Sequence, residues 1–190
     1  YWYVGGHRDN FPQVITSKYP IENVERIVGE EPDSVVTHGA GWARIVKNGR
    51  TVNIVTLHLW PQAYAYRATD VAASRDAHEG DRYRRMEIEY ICRHTIGTAP
   101  RAAEELWVML GDNNSWSRLD NWFYKCPEDD PRLLTQDYVL EHTPYVDVIA
   151  RQHPGRFQTT THSEKRIDFV YCTPALYDCV TRAEVVRDDY

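Results

Sequence analysis

The most regular alternation of apolar and polar positions runs from Trp42 to Leu59, where two strand-like stretches, 42–47 and 50–59, flank Asn48-Gly49. Asn-Gly supplies two residues that tolerate positive φ, as a type I′ turn requires, and the pattern predicts a β-hairpin. After Pro61 the period becomes helical. From Asp81 on, Tyr83, Met86, Tyr90, Ile91 and His94 recur at helix spacing, while Arg82, Arg84, Arg85, Glu87 and Glu89 take the other positions. Gly97 stands where a C-terminal cap is expected. Leu106-Trp107-Val108-Met109-Leu110 is an unbroken apolar run with the length of a buried strand, and it empties into the polar loop Gly111-Asp112-Asn113-Asn114. Asp130-Pro131 reads as an N-cap and an N1 proline that open a helix to about Glu141, with Leu133, Leu134 and Tyr138 inward. The stretch Arg166-Ile167-Asp168-Phe169-Val170-Tyr171, closed by Pro174, is a second candidate central strand, and Tyr1-Trp2-Tyr3-Val4 is strand-like too. Strands alternate with helices and a hairpin lies among them, so the expected class is α/β with a mixed sheet.

Length changes this picture little: 190 residues without repeat, linker or low-complexity stretch predict one domain, 1–190. Charge adds a constraint. Lys+Arg 22 against Asp+Glu 28 leaves a formal net charge of −6, which argues against a broad electrostatic grip on a nucleic-acid backbone and leaves room for a local basic patch. No apolar run approaches the roughly 18 residues of a membrane span. The expectation is a soluble monomer, secreted or periplasmic if a signal peptide precedes Tyr1, since the chain opens inside a strand-like run without an initiator Met. Cys92, Cys126, Cys172 and Cys179 form no C-x-x-C pair and no zinc spacing, which fits free buried thiols or one or two disulfides.

Three places carry candidate chemistry. His58 ends an apolar strand and shares its face with Val52, Ile54 and Thr56; it reads as a catalytic imidazole or as a satisfied structural histidine. Asp112 and Asn114 follow the most hydrophobic strand, where a carboxylate and an amide can share a water, a metal or a phosphate, although the same residues are good turn formers. Asp168 lies between Ile167 and Phe169 in a strand read as buried, so it needs a partner: Arg166 on the same face, or a histidine. Trp60 and Trp116 directly follow two of these stretches and read as stacking walls or as core.

Taken in chain order, Ser17-Lys18-Tyr19-Pro20-Ile21, Thr56-Leu57-His58-Leu59, Gly111-Asp112-Asn113-Asn114-Ser115 and Lys165-Arg166-Ile167-Asp168-Phe169-Val170 resemble the motif series of the endonuclease/exonuclease/phosphatase superfamily, the DNase I-like phosphoesterases. The resemblance covers nearly all of the chain. It implies a four-layer α/β sandwich of two packed mixed sheets flanked by helices, with the first strands and the last strand outside this sequence. It further implies hydrolysis of a phosphodiester or phosphomonoester with Mg²⁺, or Mn²⁺ or Ca²⁺ in its place. His58 matches the histidine that contacts the scissile phosphate, Asp112 and Asn114 match the pair that binds water, phosphate or metal, and Asp168 matches the carboxylate that orients a catalytic histidine. Trp60, Trp116 and Arg166 are candidate substrate contacts. An Asn motif and a metal-binding Glu are expected upstream of Tyr1, a Ser-Asp-His motif after Glu184-Val185-Val186, and Asn113 takes the place of the usual aromatic. The substrate expected is a small, lipid or sugar phosphoester, with a nuclease and an inactive binding module as alternatives.

Overall fold

The computed structural model describes residues 1–5, 11, 13–29, 35–62 and 69–186. In chain order the elements are β1 (Trp2–Gly5), β2 (Gln13–Thr16), β3 (Ile21–Ile27), β4 (Ala40–Lys47), β5 (Arg50–His58), α1 (Val71–Asp76), α2 (Glu79–His94), β6 (Leu106–Asp112), α3 (Asn121–Tyr124), α4 (Leu134–His142), β7 (Val146–Asp147), α5 (Val148–Gln152), β8 (Asp168–Cys172) and α6 (Pro174–Tyr177). Six strands form one mixed sheet in the order β3-β4-β5-β6-β8-β7, while β1 and β2 make a separate antiparallel ribbon against β3, β4 and β5. The α/β class and the mixed sheet are as expected. Two packed mixed sheets are expected; among the described residues one mixed sheet is present, and the other sheet is this two-stranded antiparallel ribbon.

β4 and β5 form the expected hairpin, with Lys47 opposite Arg50 and positive φ at both Asn48 (52°) and Gly49 (74°). β5 then pairs parallel with β6, a geometry that needs a crossover, and the chain makes it through α1 and α2. The sheet has two unlike faces. Asn53, Val55 and Leu57 are buried on one side of β5, and the apolar residues there join Trp107, Met109, Phe169, Tyr171 and the inner side chains of α2 in a continuous core. Val52, Ile54, Thr56 and His58 point the other way and are only half-buried.

The inner stripe of α2 differs from the expected one. Arg84, Glu87, Ile88, Ile91 and Cys92 are buried, whereas Met86 is 57% exposed and His94 lies outside. Tyr83 and Ile91 do face inward. A count of apolar residues misplaces the stripe because Arg84 and Glu87 have buried polar partners that make their burial tolerable. The helix also stops before Gly97: Thr95 is its cap, with Oγ1 donating back to the Ile91 carbonyl at 2.6 Å, and Gly97 sits in the 3₁₀ turn Ile96–Thr98. Asp130 and Pro131 cap as expected, with the Asp130 carboxylate accepting from Arg132 N at the 3₁₀ turn Pro131–Leu133 that leads into α4. Leu133 and Val139 are buried, and Leu134 and Tyr138 are half-buried.

All four cysteines are free thiols. Burial pushes Cys92 up to about 12 and Cys172 up to about 11, which makes both poor nucleophiles. No described helix is long and apolar enough to cross a membrane. The helical pattern after Pro61 falls partly on residues 63–68, which lie outside the described ones.

Candidate active site

Register builds the site. Parallel pairing of β5 with β6 sets His58 opposite Asp112, and antiparallel pairing of β6 with β8 sets Asp112 opposite Asp168. Paired residues share a face, so the three side chains form one row across adjacent strands on the half-open side of the sheet. The row lies at the carboxyl ends of β5 and β6, the position where open α/β sheets bind ligands. His58 Nε2 stands 3.8 Å from Asp112 Oδ2, and the two side chains are 21% and 31% exposed.

The loop after β6 is locked from several sides. A Cβ added at Gly111 would lie 1.9 Å from the Leu57 carbonyl oxygen, so only glycine lets β6 come this close to β5. Asp112 Oδ1 accepts from Asn114 N at 2.8 Å, the turn chemistry of a short acidic side chain. Asn113 N donates to the Ile167 carbonyl at 2.8 Å and ties the loop to the segment before β8. Burial holds the Asp112 carboxyl up at about 6; the charge of Asp168 adds to this, and the Asn114 N–H, Arg84 and His38 oppose it.

The other expected residues are placed differently. Asn114 is buried, with φ 49°, and its carboxamide is committed: Oδ1 accepts from Gln62 N at 3.3 Å and Nδ2 donates to the Leu59 carbonyl at 3.2 Å. It joins the loop to the end of β5 as a clamp. Asp168 is exposed rather than buried, because β8 begins there and turns Phe169 and Tyr171 into the core instead. Arg166 is not its partner. That guanidinium is fully buried and bonds Asp120 through Nε at 2.7 Å and Asp147 through Nη1 at 3.0 Å, so it braces the stretches that carry those aspartates and is closed to solvent. Trp116 has both faces covered, by Tyr124 stacked at 4.3 Å and by the Arg132 guanidinium at 4.0 Å. Trp60 meets Tyr83 edge-on at 5.9 Å and packs over Gly80. With both faces covered, Trp116 is a packing element, because a stacking wall needs a free face.

Two further residues belong to the site. His38 is buried with its ring 4.6 Å from that of His58, and Phe11 sits edge-on to His58 at 5.3 Å. Glu87 is fully buried and accepts from Thr37 N at 2.7 Å and from Trp60 N at 2.8 Å, so one carboxylate fixes the stretches that carry both histidines. Burial pushes it up to about 7 against the lowering effect of those two N–H groups. His38 has no neighbouring motif that marks it in the sequence. Glu87 left a faint sign, an acid three residues after Arg84 and four before Ile91 on one helix face.

A metal ion can be tested against these donors. Among the described residues, no group of three or more His, Cys, Asp or Glu is placed to hold one. Mg²⁺ needs less than that, since one or two carboxylates with waters and substrate phosphate complete its shell. Asp112 and Asp168 fit that role, being register partners whose mutual repulsion a cation would relieve.

No family profile matches the chain, and no curated protein matches it by sequence. Solved structures do. An endonuclease/exonuclease/phosphatase from Beutenbergia cavernae superposes at a TM-score of 0.55 with 17% identity, over 92% of this chain and 46% of that one. The human Nocturnin catalytic domain with bound sulfate gives 0.55 with 10% identity, over 91% and 60%. D. rerio TDP2 complexed with a single-strand DNA product gives 0.52 with 14% identity, over 91% and 61%. The chain therefore has the DNase I-like fold of endonuclease/exonuclease/phosphatase proteins, and it spans about half the length of the structures it matches.

Proposed function

We propose that this chain carries the site of a metal-dependent phosphoester hydrolase that cleaves a phosphodiester or phosphomonoester by in-line attack of water. The observation that carries the reading is the His58–Asp112–Asp168 row, a histidine and two carboxylates in register at one strand end. Asp112 and Asp168 would hold a divalent ion, Mg²⁺ or in its place Mn²⁺ or Ca²⁺, which when bound neutralises charge on the phosphoryl oxygens. His58 presents an N–H donor to a phosphoryl oxygen on the same face. The Asp112 carboxylate, 3.8 Å from His58 Nε2, would accept a hydrogen bond from the attacking water. Asn114 and Glu87 hold this arrangement without touching substrate.

The test is hydrolysis of bis(p-nitrophenyl) phosphate, expected to be abolished by EDTA and restored by Mg²⁺. Asp112→Asn should cost roughly 10²–10⁴-fold in kcat. Full activity in that variant would overturn the proposal, and binding of the ester without any cleavage would favour a recognition module. A nuclease is the second reading. It is supported by the likeness to a TDP2 structure that holds a single-strand DNA product, and plasmid DNA run beside the small ester tests it.

A further inference from the structure

Beside the row lies a cleft of about 570 Å³ whose walls include Arg75, His78, Arg84, Arg132 and Lys165. It lies near the site: Gln62, whose N–H bonds Asn114, lines it, and Arg84, whose charge acts on Asp112, donates through Nη1 to the Trp60 carbonyl at 2.9 Å, two residues past His58. Although the whole chain carries −6, the acids of this neighbourhood are already engaged. Asp81 is held by Arg84 and by His78 Nδ1 at 2.9 Å, Asp130 is held by Arg132, and Glu79 accepts from the Ser74 hydroxyl. Among the described residues, no carboxylate pairs with Arg75 or Lys165, and the buried Arg84 Nε has no acceptor. Arg84 and Arg132 are answered by Asp81 and Asp130, and Arg132 is pinned over Trp116, so the unmatched charge of the cleft is that of Arg75 and Lys165 and Trp116 offers no free ring face.

We propose that this cleft is an anion subsite that binds a second phosphate group of the substrate whose scissile phosphate lies at the His58–Asp112–Asp168 row. The inference rests on the phosphoesterase reading and narrows its substrate class to compounds with at least two phosphates. Excess cationic groups beside a strand-end site favour a polyanion, and guanidinium and ammonium donors form charge-assisted hydrogen bonds to phosphate oxygens. A small bisphosphate and the next phosphate of a nucleic-acid strand supply the same chemistry.

The experiment compares thymidine 5′-(p-nitrophenyl phosphate) with and without a 3′-phosphate. The 3′-phosphate is expected to raise kcat/KM roughly tenfold, and Arg75→Gln with Lys165→Gln should bring that ratio close to one. Arg182→Gln, at an exposed pair with Glu184, should leave the ratio as it is. Equal kcat/KM for the two esters in the unaltered protein would overturn the subsite while leaving the hydrolase reading intact. Calorimetric titration with inorganic phosphate in the absence of metal separates the two ideas further. Phosphate binding that weakens roughly tenfold in the double variant, with neither ester cleaved, would uphold the subsite and sink the hydrolase. An oligothymidylate arm assigns the second phosphate to a strand if it gains over the bisphosphate, and to a small molecule if it does not.

Discussion

The cluster around Arg166 and the pair Asp112–Asp168 use carboxylates in opposite ways. Around Arg166, two aspartates meet one guanidinium fork at 2.7 and 3.0 Å in a space closed to solvent. At the strand end, Asp112 and Asp168 face each other with a histidine 3.8 Å from one of them, partly open to solvent. In the first arrangement both carboxylates bond the one guanidinium, which braces the loops, although burial and the neighbouring Asp147 still hold Asp120 above its ordinary value. The second holds one carboxyl above its ordinary range and leaves like charges side by side, an arrangement that a cation or a substrate would relieve. A buried carboxylate with a matched fork is structural here, and a half-open one without a matched cation is where ligand chemistry is expected.

Removing the brace should have the largest effect. Arg166→Gln leaves Asp120 and Asp147 buried without their cation and should cost about 3–5 kcal/mol in urea unfolding. Asp112→Asn, by contrast, removes a charge that the fold holds at a cost and should leave stability at pH 7 unchanged or raised while removing activity; a loss like that of Arg166→Gln would erase the distinction between the two clusters.

Glu87 comes next. Its pKa is raised from 4.5 to about 7, so the folded state binds the proton more tightly than the unfolded chain does. Its contribution is therefore fully present below about pH 4.5 and is lost as pH rises through 7, a span worth about 3 kcal/mol. Glu87→Gln should flatten that part of the stability–pH curve, as read from chemical unfolding between pH 4 and 8. An unchanged curve would show that the carboxylate is not the group responsible.

Asn114→Ala should cost about 1–2 kcal/mol through two lost hydrogen bonds, and the loop it clamps should become more labile to hydrogen exchange around Gln62. Smallest of all, Arg118→Ala breaks an exposed pair with Asp137 and should shift stability by no more than about 1 kcal/mol.

Much of the architecture was legible because local chemistry suffices for it. Asn48-Gly49 specifies its turn whatever surrounds it, the apolar run at Leu106–Leu110 forms the central strand β6 although only Trp107 and Met109 of it are buried, and Asp130-Pro131 caps by its own side chain. The helix face was misjudged where polar residues were buried in pairs, since Arg84 and Glu87 depend on partners far away in the chain. The same limit moved Asp168 from a buried position to an exposed one, and Arg166 from a ligand contact to a brace.

The sequence by itself determined the α/β alternation, the hairpin, and the identity and order of His58, Asp112 and Asp168. Tertiary structure decided their register as one row, the arrival of His38 beside His58, the covering of Trp116 on both faces, and the gathering of cations into one cleft. The physical reason is range. Turn, cap and periodicity preferences act over a few residues, whereas strand register, burial and charge pairing are set by groups tens of residues apart that meet only when the chain is folded.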